Sequence, residues 1–111
     1  MNFLPYHQAV CAIPAGASGV YVIKGPGMWI DEVLYVGESH TGNLRKTLTR
    51  HFQRWKGKTA GPTYGRRKVR VAVLQMKNRG KVVAVQNALI KRFSPRDNTA
   101  EKLSLIERLL S

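Results

Sequence analysis

Two tyrosines stand in short glycine-containing triplets, and a basic segment follows them. Tyr21 ends the triplet GVY, and Tyr35 begins the triplet YVG. The basic segment contains Arg50 and His51. Phenol, guanidinium and imidazole groups together can position a water molecule, relay its proton and neutralise phosphate oxygens. A second interpretation stays open, in which each tyrosine is only a cross-strand packing partner.

The charge balance indicates a polyanionic partner. The 111-residue chain has 19 Lys and Arg residues against 6 Asp and Glu residues, which gives a formal net charge of +13. The sequence pI is about 10.6. DNA enzymes, ribosomal proteins and membrane-surface proteins share such a balance, so charge alone does not choose among them.

Neither a membrane span nor a secretory leader is predicted. No apolar run approaches the roughly 20 residues that a bilayer requires. No Lys or Arg precedes Lys24, so the charged region of a signal peptide is missing, and we expect a cytoplasmic protein. Cys11 is the only cysteine and has no C-x-x-C or His-rich surroundings, so we expect it to pack as a small apolar residue.

The segments that position these side chains alternate between strand and helix patterns. β-Branched and aromatic residues at 19–24 and 32–36 predict the two strands of a hairpin. Apolar residues at helical spacing predict a helix over 43–55, with Asn43 as its N-cap. The Gly-, Pro- and Lys/Arg-rich stretch 56–68 predicts an exposed loop.

The second half of the chain continues this alternation. The apolar run 69–75 predicts a third strand that is buried on both faces. Helical spacing over 81–93 predicts a helix that ends before Pro95. Asn98, followed three places later by Glu101, predicts a C-terminal helix with a variant capping box. The predicted order is ββαβαα in a single domain, without internal repeats.

These features follow one another in the order that is found in a family of nucleases. The two tyrosine triplets precede a helix with the sequence RHF, then the apolar third strand, and then the segment QNALIKRFSPRDN. In this arrangement the chain resembles the GIY-YIG nucleases, in which the last segment reads E-x-x-L-I-x-x-x-x-P-x-x-N. The positions that match this segment are Leu89, Ile90, Pro95 and Asn98.

The resemblance covers roughly residues 18–98 and carries expectations about fold and activity. One domain over 1–111 would comprise an N-terminal arm (1–17), this core and a C-terminal helix (99–111). The implied fold is α+β, with a small three-stranded antiparallel sheet flanked by helices. The implied activity is hydrolysis of DNA phosphodiester bonds by water, assisted by one Mg²⁺ or Mn²⁺ ion.

Roles for individual residues follow from the resemblance. Tyr21 and Tyr35 fall on the two family tyrosines, and Tyr21 is the expected base. Thr47 stands where many members have an arginine, and Arg50 is the expected substitute on an adjacent part of the same helical face. His51 either orients or binds phosphate or is a half-buried histidine within the helix.

The surrounding residues are expected to bind nucleic acid. Asn98 matches the family asparagine, which ties its helix to the site, and it can cap the next helix at the same time. Residues in and after the first predicted helix are expected to contact phosphates, and the tyrosine among them to stack on a base. Each of them could instead form only a solvated surface. They are Arg45, Lys46, Arg54, Lys56, Lys58, Tyr64, Arg66, Arg67 and Lys68.

Gln86 is the principal departure from the family. It occupies the place of the metal-binding glutamate, and its amide has no charge to offset the dehydration of Mg²⁺. Metal affinity and cleavage should therefore fall while DNA binding is kept. The chain is either a natural nuclease-dead variant or carries a deliberate inactivating substitution, and the completeness of the remaining motif favours the second explanation.

Two further interpretations stay open. The chain could be a noncatalytic nucleic-acid-binding module that has kept the scaffold, or a basic RNA-associated structural protein in which the tyrosine triplets are accidental. A preference for single-stranded or duplex DNA is not visible in the sequence. Cutting both strands of a duplex requires a homodimer or sequential nicking, whereas a single-strand enzyme works as a monomer.

Overall fold

The computed structural model of the protein describes residues 1–53 and 62–98. They form one antiparallel sheet with helices packed on both faces. The elements in chain order are β1 (Leu4–Pro5), α1 (Tyr6–Cys11), β2 (Gly19–Pro26), β3 (Asp31–Ser39), α2 (Leu44–Arg50), β4 (Arg70–Gln75), a short 3-10 turn (Arg79–Lys81) and α3 (Val82–Phe93). The strands lie in the order β1-β4-β2-β3.

The N-terminal arm adds a strand and a helix that the sequence pattern did not predict. β1 pairs with β4 through Leu4–Val71 and Pro5–Arg70, so the described residues form a four-stranded sheet and not the predicted three-stranded one. α1 follows at once and buries Tyr6. Both elements are too short to show a periodicity, which is why they were missed. The α+β class is confirmed, but the order ββαβαα omitted β1 and α1.

The predicted hairpin is present and is longer than expected. β2 and β3 pair from Gly19–Ser39 to Pro26–Asp31, with an irregularity after Ile23. The predicted strands stopped early because glycine was taken as their end. Gly25 and Gly37 lie within the strands, because a neighbouring side chain approaches each of them so closely that a Cβ atom would overlap it.

The two faces of the sheet differ in what they bury. Alternate residues of a strand point to opposite faces. Tyr21 and Ile23 therefore pack with α1 and α2, whereas Val20 and Val22 pack with α3. The same alternation in β3 places Val36 with the α3 layer. The tyrosine triplets thus direct their phenols towards α2.

α2 is shorter than the sequence pattern indicates. It ends at Arg50, and His51 is its C-cap, whereas the prediction continued to residue 55. The backbone N–H groups of His51 and Phe52 donate to carbonyls three residues back, so the chain leaves the helix in a tight turn. Residues 54–61, which include Trp55 of the predicted helical stripe, lie outside the described part of the chain.

The last described helix matches its prediction closely. α3 spans Val82–Phe93 and ends at Ser94, which has a left-handed backbone and donates its N–H to the Ile90 carbonyl. Pro95 follows, as expected for a residue that does not continue a helix. The predicted C-terminal helix (99–111) lies outside the described residues. Within the residues that are described, no helix is long and apolar enough to cross a membrane.

Candidate nucleic-acid site

Tyr21 and His51 form a buried hydrogen-bonded pair between the sheet and the end of α2. The Tyr21 hydroxyl lies 2.7 Å from Nε2 of His51. Both side chains are buried, with exposures of 1% and 4%. β2 directs Tyr21 towards α2, and the C-cap position at the end of α2 turns His51 back towards the sheet. Two residues that are 30 positions apart are thereby joined.

The other nitrogen of His51 determines which way this hydrogen bond runs. Nδ1 of His51 lies 2.8 Å from the carbonyl oxygen of Pro62. Since a carbonyl can only accept, Nδ1 carries a proton and donates to it. In the neutral ring Nε2 is then the acceptor, and the Tyr21 hydroxyl donates to it. His51 is therefore oriented to receive the phenolic proton of Tyr21.

Gly37 makes room for the tyrosine. It is the cross-strand partner of Tyr21, whose ring lies directly over it. A Cβ atom at position 37 would overlap the hydroxyl and Cζ of Tyr21. Glycine is thus required in the second triplet for a steric reason and not for a turn, because only a residue without a side chain leaves this space.

Two further tyrosines complete an aromatic cluster around His51. The ring centroid of Tyr35 lies 4.6 Å from that of His51 and 6.3 Å from that of Tyr21. The ring of Tyr64 lies 6.4 Å from that of His51. Tyr35 and Tyr64 are both half-buried, so they form the partly exposed rim of a cluster whose centre is the Tyr21–His51 pair.

Tyr64 is tied down and is not the exposed loop residue that the sequence predicted. Its hydroxyl donates to a carboxylate oxygen of Asp97 over 2.6 Å, and its backbone N–H donates to the His51 carbonyl. Burial raises the pKa of Tyr64 well above its ordinary value, and the bond to Asp97 raises it further. Stacking of a nucleic-acid base on an exposed Tyr64 ring is therefore not supported by this arrangement.

Asp97 connects the segment after α3 with this cluster. Besides Tyr64, it accepts two hydrogen bonds from the guanidinium of Arg96, over 2.9 and 3.1 Å. The pKa of Arg96 is raised chiefly by this hydrogen bond with Asp97. The backbone N–H of Asp97 also donates to the Leu34 carbonyl of β3. The segment after α3 is thus fastened to the free edge of the sheet.

Asn98 has a structural role, and this arrangement gives no support to its predicted contact with nucleic acid. The side chain is 0% exposed. Its Oδ1 accepts from the Val36 N–H and its Nδ2 donates to the Val36 carbonyl, each over 2.8 Å. Both functional groups of the amide are thus used in continuing the hydrogen-bond ladder at the β3 edge. The expectation that this asparagine ties its helix to the site is consistent with this geometry.

The predicted basic residues differ in their placement. Arg45, Lys46 and Arg50 are exposed on α2. Arg66 is exposed as well, and its guanidinium lies over the ring of Tyr6, 5.0 Å from the centroid. The other described members are exposed, namely Arg67 and Lys68. The remaining predicted contacts lie outside the described residues: Arg54, Lys56 and Lys58.

Gln86 does not belong to the aromatic cluster. It is half-buried on α3, which packs on the face of the sheet opposite to Tyr21 and His51. α3 nevertheless leads directly into the segment that carries Asp97 and Asn98 to the β3 edge. The helix is thus joined to the margin of the cluster.

The described residues do not fit a bound divalent metal ion. Among them, no group of three or more His, Cys, Asp and Glu side chains could hold one. The Asp97 carboxylate is already bonded to Arg96 and Tyr64. Gln86 supplies a neutral amide where the resemblance implies a carboxylate, and hard cations such as Mg²⁺ prefer charged oxygen ligands.

Three contributions to the cluster were not predicted from the sequence. They are the Asp97 carboxylate, the Arg96 guanidinium and the Pro62 carbonyl. A charged pair directly before the matched Asn98 was a visible signal for the first two. Nothing in the sequence indicated the carbonyl, because any residue type supplies a backbone acceptor.

Comparison with known proteins gives no independent identification. No family model matches the chain, and neither does any curated protein or solved structure. The Tyr21–His51 pair, its aromatic surroundings and the charge of the molecule are therefore the observations from which a function is inferred.

Proposed function

We propose that the chain binds DNA and that its Tyr21–His51 pair is the proton-transfer centre of a phosphodiester-hydrolysing site of GIY-YIG type, impaired in this sequence by Gln86. The observation that carries the proposal is the 2.7 Å contact between the Tyr21 hydroxyl and Nε2 of His51, with Nδ1 held by the Pro62 carbonyl. A tyrosine whose proton faces a fixed acceptor can itself take a proton from water.

The proton path follows from the orientation of the pair. As water attacks the phosphorus, its proton moves to the Tyr21 oxygen, and the phenolic proton moves to Nε2 of His51. The bond from phosphorus to the 3′ oxygen breaks, and that oxygen leaves with a proton from solvent. The imidazolium that forms keeps its Nδ1–H bond to the Pro62 carbonyl, so the ring does not have to reorient.

Access to the pair sets a condition on this chemistry. Tyr21 is buried, and the segment that holds Pro62 and Tyr64 is bonded to His51. Proton exchange between Tyr21 and water therefore requires the partly exposed rim of the cluster to admit water while the Pro62 carbonyl keeps its bond to His51. Tyr35, which is half-buried at the rim, is the tyrosine placed to contact the phosphate first.

The positive charge supports the choice of DNA as the substrate class. The net charge is +13, and Arg45, Lys46 and Arg50 are exposed along α2, the helix that His51 caps. Phosphate contacts made by such residues release counterions from nucleic acid and so favour binding irrespective of sequence. A polyanion that lies along α2 would therefore pass the aromatic cluster.

Position 86 is the only place at which the proposal involves a divalent ion. Gln86→Glu would supply the carboxylate that the resemblance implies as the holder of a Mg²⁺ or Mn²⁺ ion, on the helix that leads to the margin of the cluster. The present chain is expected to bind DNA and to cleave it poorly. A homodimer, which is one of the two ways to cut both strands of a duplex, is an additional proposal.

A second candidate function is a noncatalytic nucleic-acid-binding module. Two observations favour it, the burial of Tyr21 and the neutral side chain of Gln86. In this function the Tyr21–His51 bond only fixes the end of α2 against the sheet. Basic residues would then account for all of the activity.

The discriminating experiment compares the parent chain with its Gln86→Glu variant on labelled single-stranded and duplex DNA. Mg²⁺, Mn²⁺ and a chelator are tested in parallel. Gln8→Glu, at an exposed position on α1, is the matched control for the same change of charge. We expect cleavage by the Gln86→Glu variant alone, abolished by chelator. DNA binding without cleavage by any form would contradict hydrolysis and establish the second candidate.

A further inference from the structure

Two clefts open on either side of the loop between α1 and β2, at the end of the sheet where β2 begins. One cleft has a volume of about 400 Å³ and the other about 310 Å³, and both are lined by Pro14, Ala15 and Gly16. Lys77 and Arg79 line the first cleft, and Arg45 and Lys46 line the second. The loop is thus a ridge with two basic side chains on each side.

Backbone and side-chain hydrogen bonds hold this ridge in place. The Ala17 carbonyl accepts from the Leu44 N–H at the start of α2, over 3.1 Å. The Ser18 carbonyl accepts from the Met76 N–H after β4, over 2.8 Å, and its hydroxyl accepts from the Gly42 N–H. The loop is therefore fixed to the elements that carry the basic side chains on both sides.

Arg79 reaches across from the 3-10 turn to the loop before α2. A Cβ atom at Gly42 would lie 3.1 Å from a terminal nitrogen of Arg79 and 3.2 Å from the Gly16 carbonyl. Gly42 has a φ of +80° and Gly16 a φ of +79°, conformations that glycine adopts without steric cost. Gly42 thus leaves room for the guanidinium beside the Gly16 carbonyl, where the two clefts approach each other.

The charge around the ridge has one sign. Lys77, Arg79, Arg45 and Lys46 are all exposed. None of the acidic residues in the described ranges lines either cleft. The described lining residues therefore give this concave surface positive charge alone, which concentrates positive potential and attracts an extended polyanion.

We infer that this ridge and its two clefts form a second phosphate-backbone site, which holds the nucleic-acid strand that flanks the Tyr21–His51 pair. The inference rests on the proposed function for the choice of nucleic acid as the polyanion. Lys77 and Arg79 are its new members, because the sequence did not single them out. They contact phosphates, whereas the aromatic cluster acts on the adjoining part of the strand.

The spacing to the aromatic cluster sets the length of nucleic acid that is required. Arg45 and His51 are six residues apart along α2, which corresponds to roughly 9 Å at 1.5 Å per residue. One strand carries a charge about every 3.4 Å along the helix axis. A strand that occupies both places must therefore extend about three nucleotides past the cluster, and more to reach Arg79.

The test is the salt dependence of DNA binding, measured by fluorescence anisotropy on a labelled duplex. The double variant Lys77→Ala/Arg79→Ala is compared with Lys91→Ala/Arg92→Ala, which removes the same charge from exposed positions at the other end of α3. We expect the first pair to lower the slope of log K against log salt by about 1.8, or about 0.9 for each lost phosphate contact. The second pair should leave the slope nearly unchanged.

Equal effects of the two pairs would overturn the inference, because they would show a response to net charge alone. No effect of either pair would overturn it as well. Both pairs are at exposed positions, so the fold should survive, and circular dichroism checks this. Binding by the parent reports on the proposed function, whereas the difference between the pairs reports on the second site. The two can therefore fail separately.

Discussion

The two faces of the sheet use adjacent residues of the same strands for different purposes. Towards α2, Tyr21 and Tyr35 surround His51, and the polar groups at the centre are joined by hydrogen bonds. Towards α3, Val22 and Val36 pack in a layer of aliphatic side chains. The α2 face thus buries, besides apolar residues of its own, polar groups that have to be positioned, whereas the α3 layer buries apolar area that needs no particular partner.

This difference separates stability from function. Burial of aliphatic side chains stabilises in rough proportion to area, at about 25 cal/mol per Å². Buried hydrogen bonds contribute less to net stability but fix one arrangement of their groups. We therefore expect substitutions of aliphatic residues such as those of the α3 face to change the free energy of unfolding, and substitutions at the Tyr21–His51 pair to change what the folded molecule does.

The largest effect on stability is expected for Ile90→Ala. Ile90 is 1% exposed and packs in the α3 layer, so its truncation leaves a cavity. A loss of about 2–5 kcal/mol in the free energy of unfolding is expected, measured by urea denaturation. DNA affinity of the folded fraction should stay at the parent value. A loss below about 1 kcal/mol, or a specific loss of DNA binding, would contradict the division between the faces.

A smaller loss of stability and a larger loss of function are expected for Gly37→Ala. The added methyl group overlaps the Tyr21 ring, which must move away from His51. Overpacking of this kind costs about 1–3 kcal/mol. Gly65→Ala is the matched control, because a Cβ there meets only the flexible Lys68 side chain, at 3.8 Å. If the Gly37→Ala protein cleaved DNA as well as its control in the Gln86→Glu background, the Tyr21 position would be irrelevant.

The pattern of success and failure in the sequence predictions has a physical basis. The hairpin was predicted from its β-branched and aromatic residues and α3 from its helical spacing, and both signals are local. The burial of Tyr64 was missed because its partner, Asp97, lies 33 positions away in the chain. Asn98 was matched in sequence, yet its bonds to Val36 depend on how the segment after α3 meets the sheet edge. Tertiary contacts of this kind leave no local pattern.

The smallest effect is expected for Tyr64→Phe, and it should depend on pH. The pKa of Tyr64 is raised by burial and by the Asp97 bond, so the folded protein keeps this proton at a pH where the unfolded chain releases it. Its contribution to stability is thus complete below about pH 10, the ordinary pKa of tyrosine, and is lost as the pH rises above that value.

Urea denaturation at neutral and at alkaline pH tests this expectation. Near neutral pH, Tyr64→Phe should cost about 1–2 kcal/mol through the lost hydrogen bond. Above about pH 10 the variant should lose stability less steeply than the parent. Tyr6, whose pKa is also raised by burial, is present in both proteins, so their difference isolates Tyr64. Parallel curves for the two proteins would show that Tyr64 ionises equally in both states.

The most direct test of the proposed function is the cleavage rate of labelled DNA by the Gln86→Glu protein, with and without Tyr21→Phe. The phenylalanine keeps the ring over Gly37 and removes only the hydroxyl that faces His51. We predict a fall in rate on the order of 10²–10⁴-fold, as for loss of a general base, with DNA affinity unchanged. Equal cleavage rates with and without the hydroxyl would contradict a proton-transfer role for the Tyr21–His51 pair.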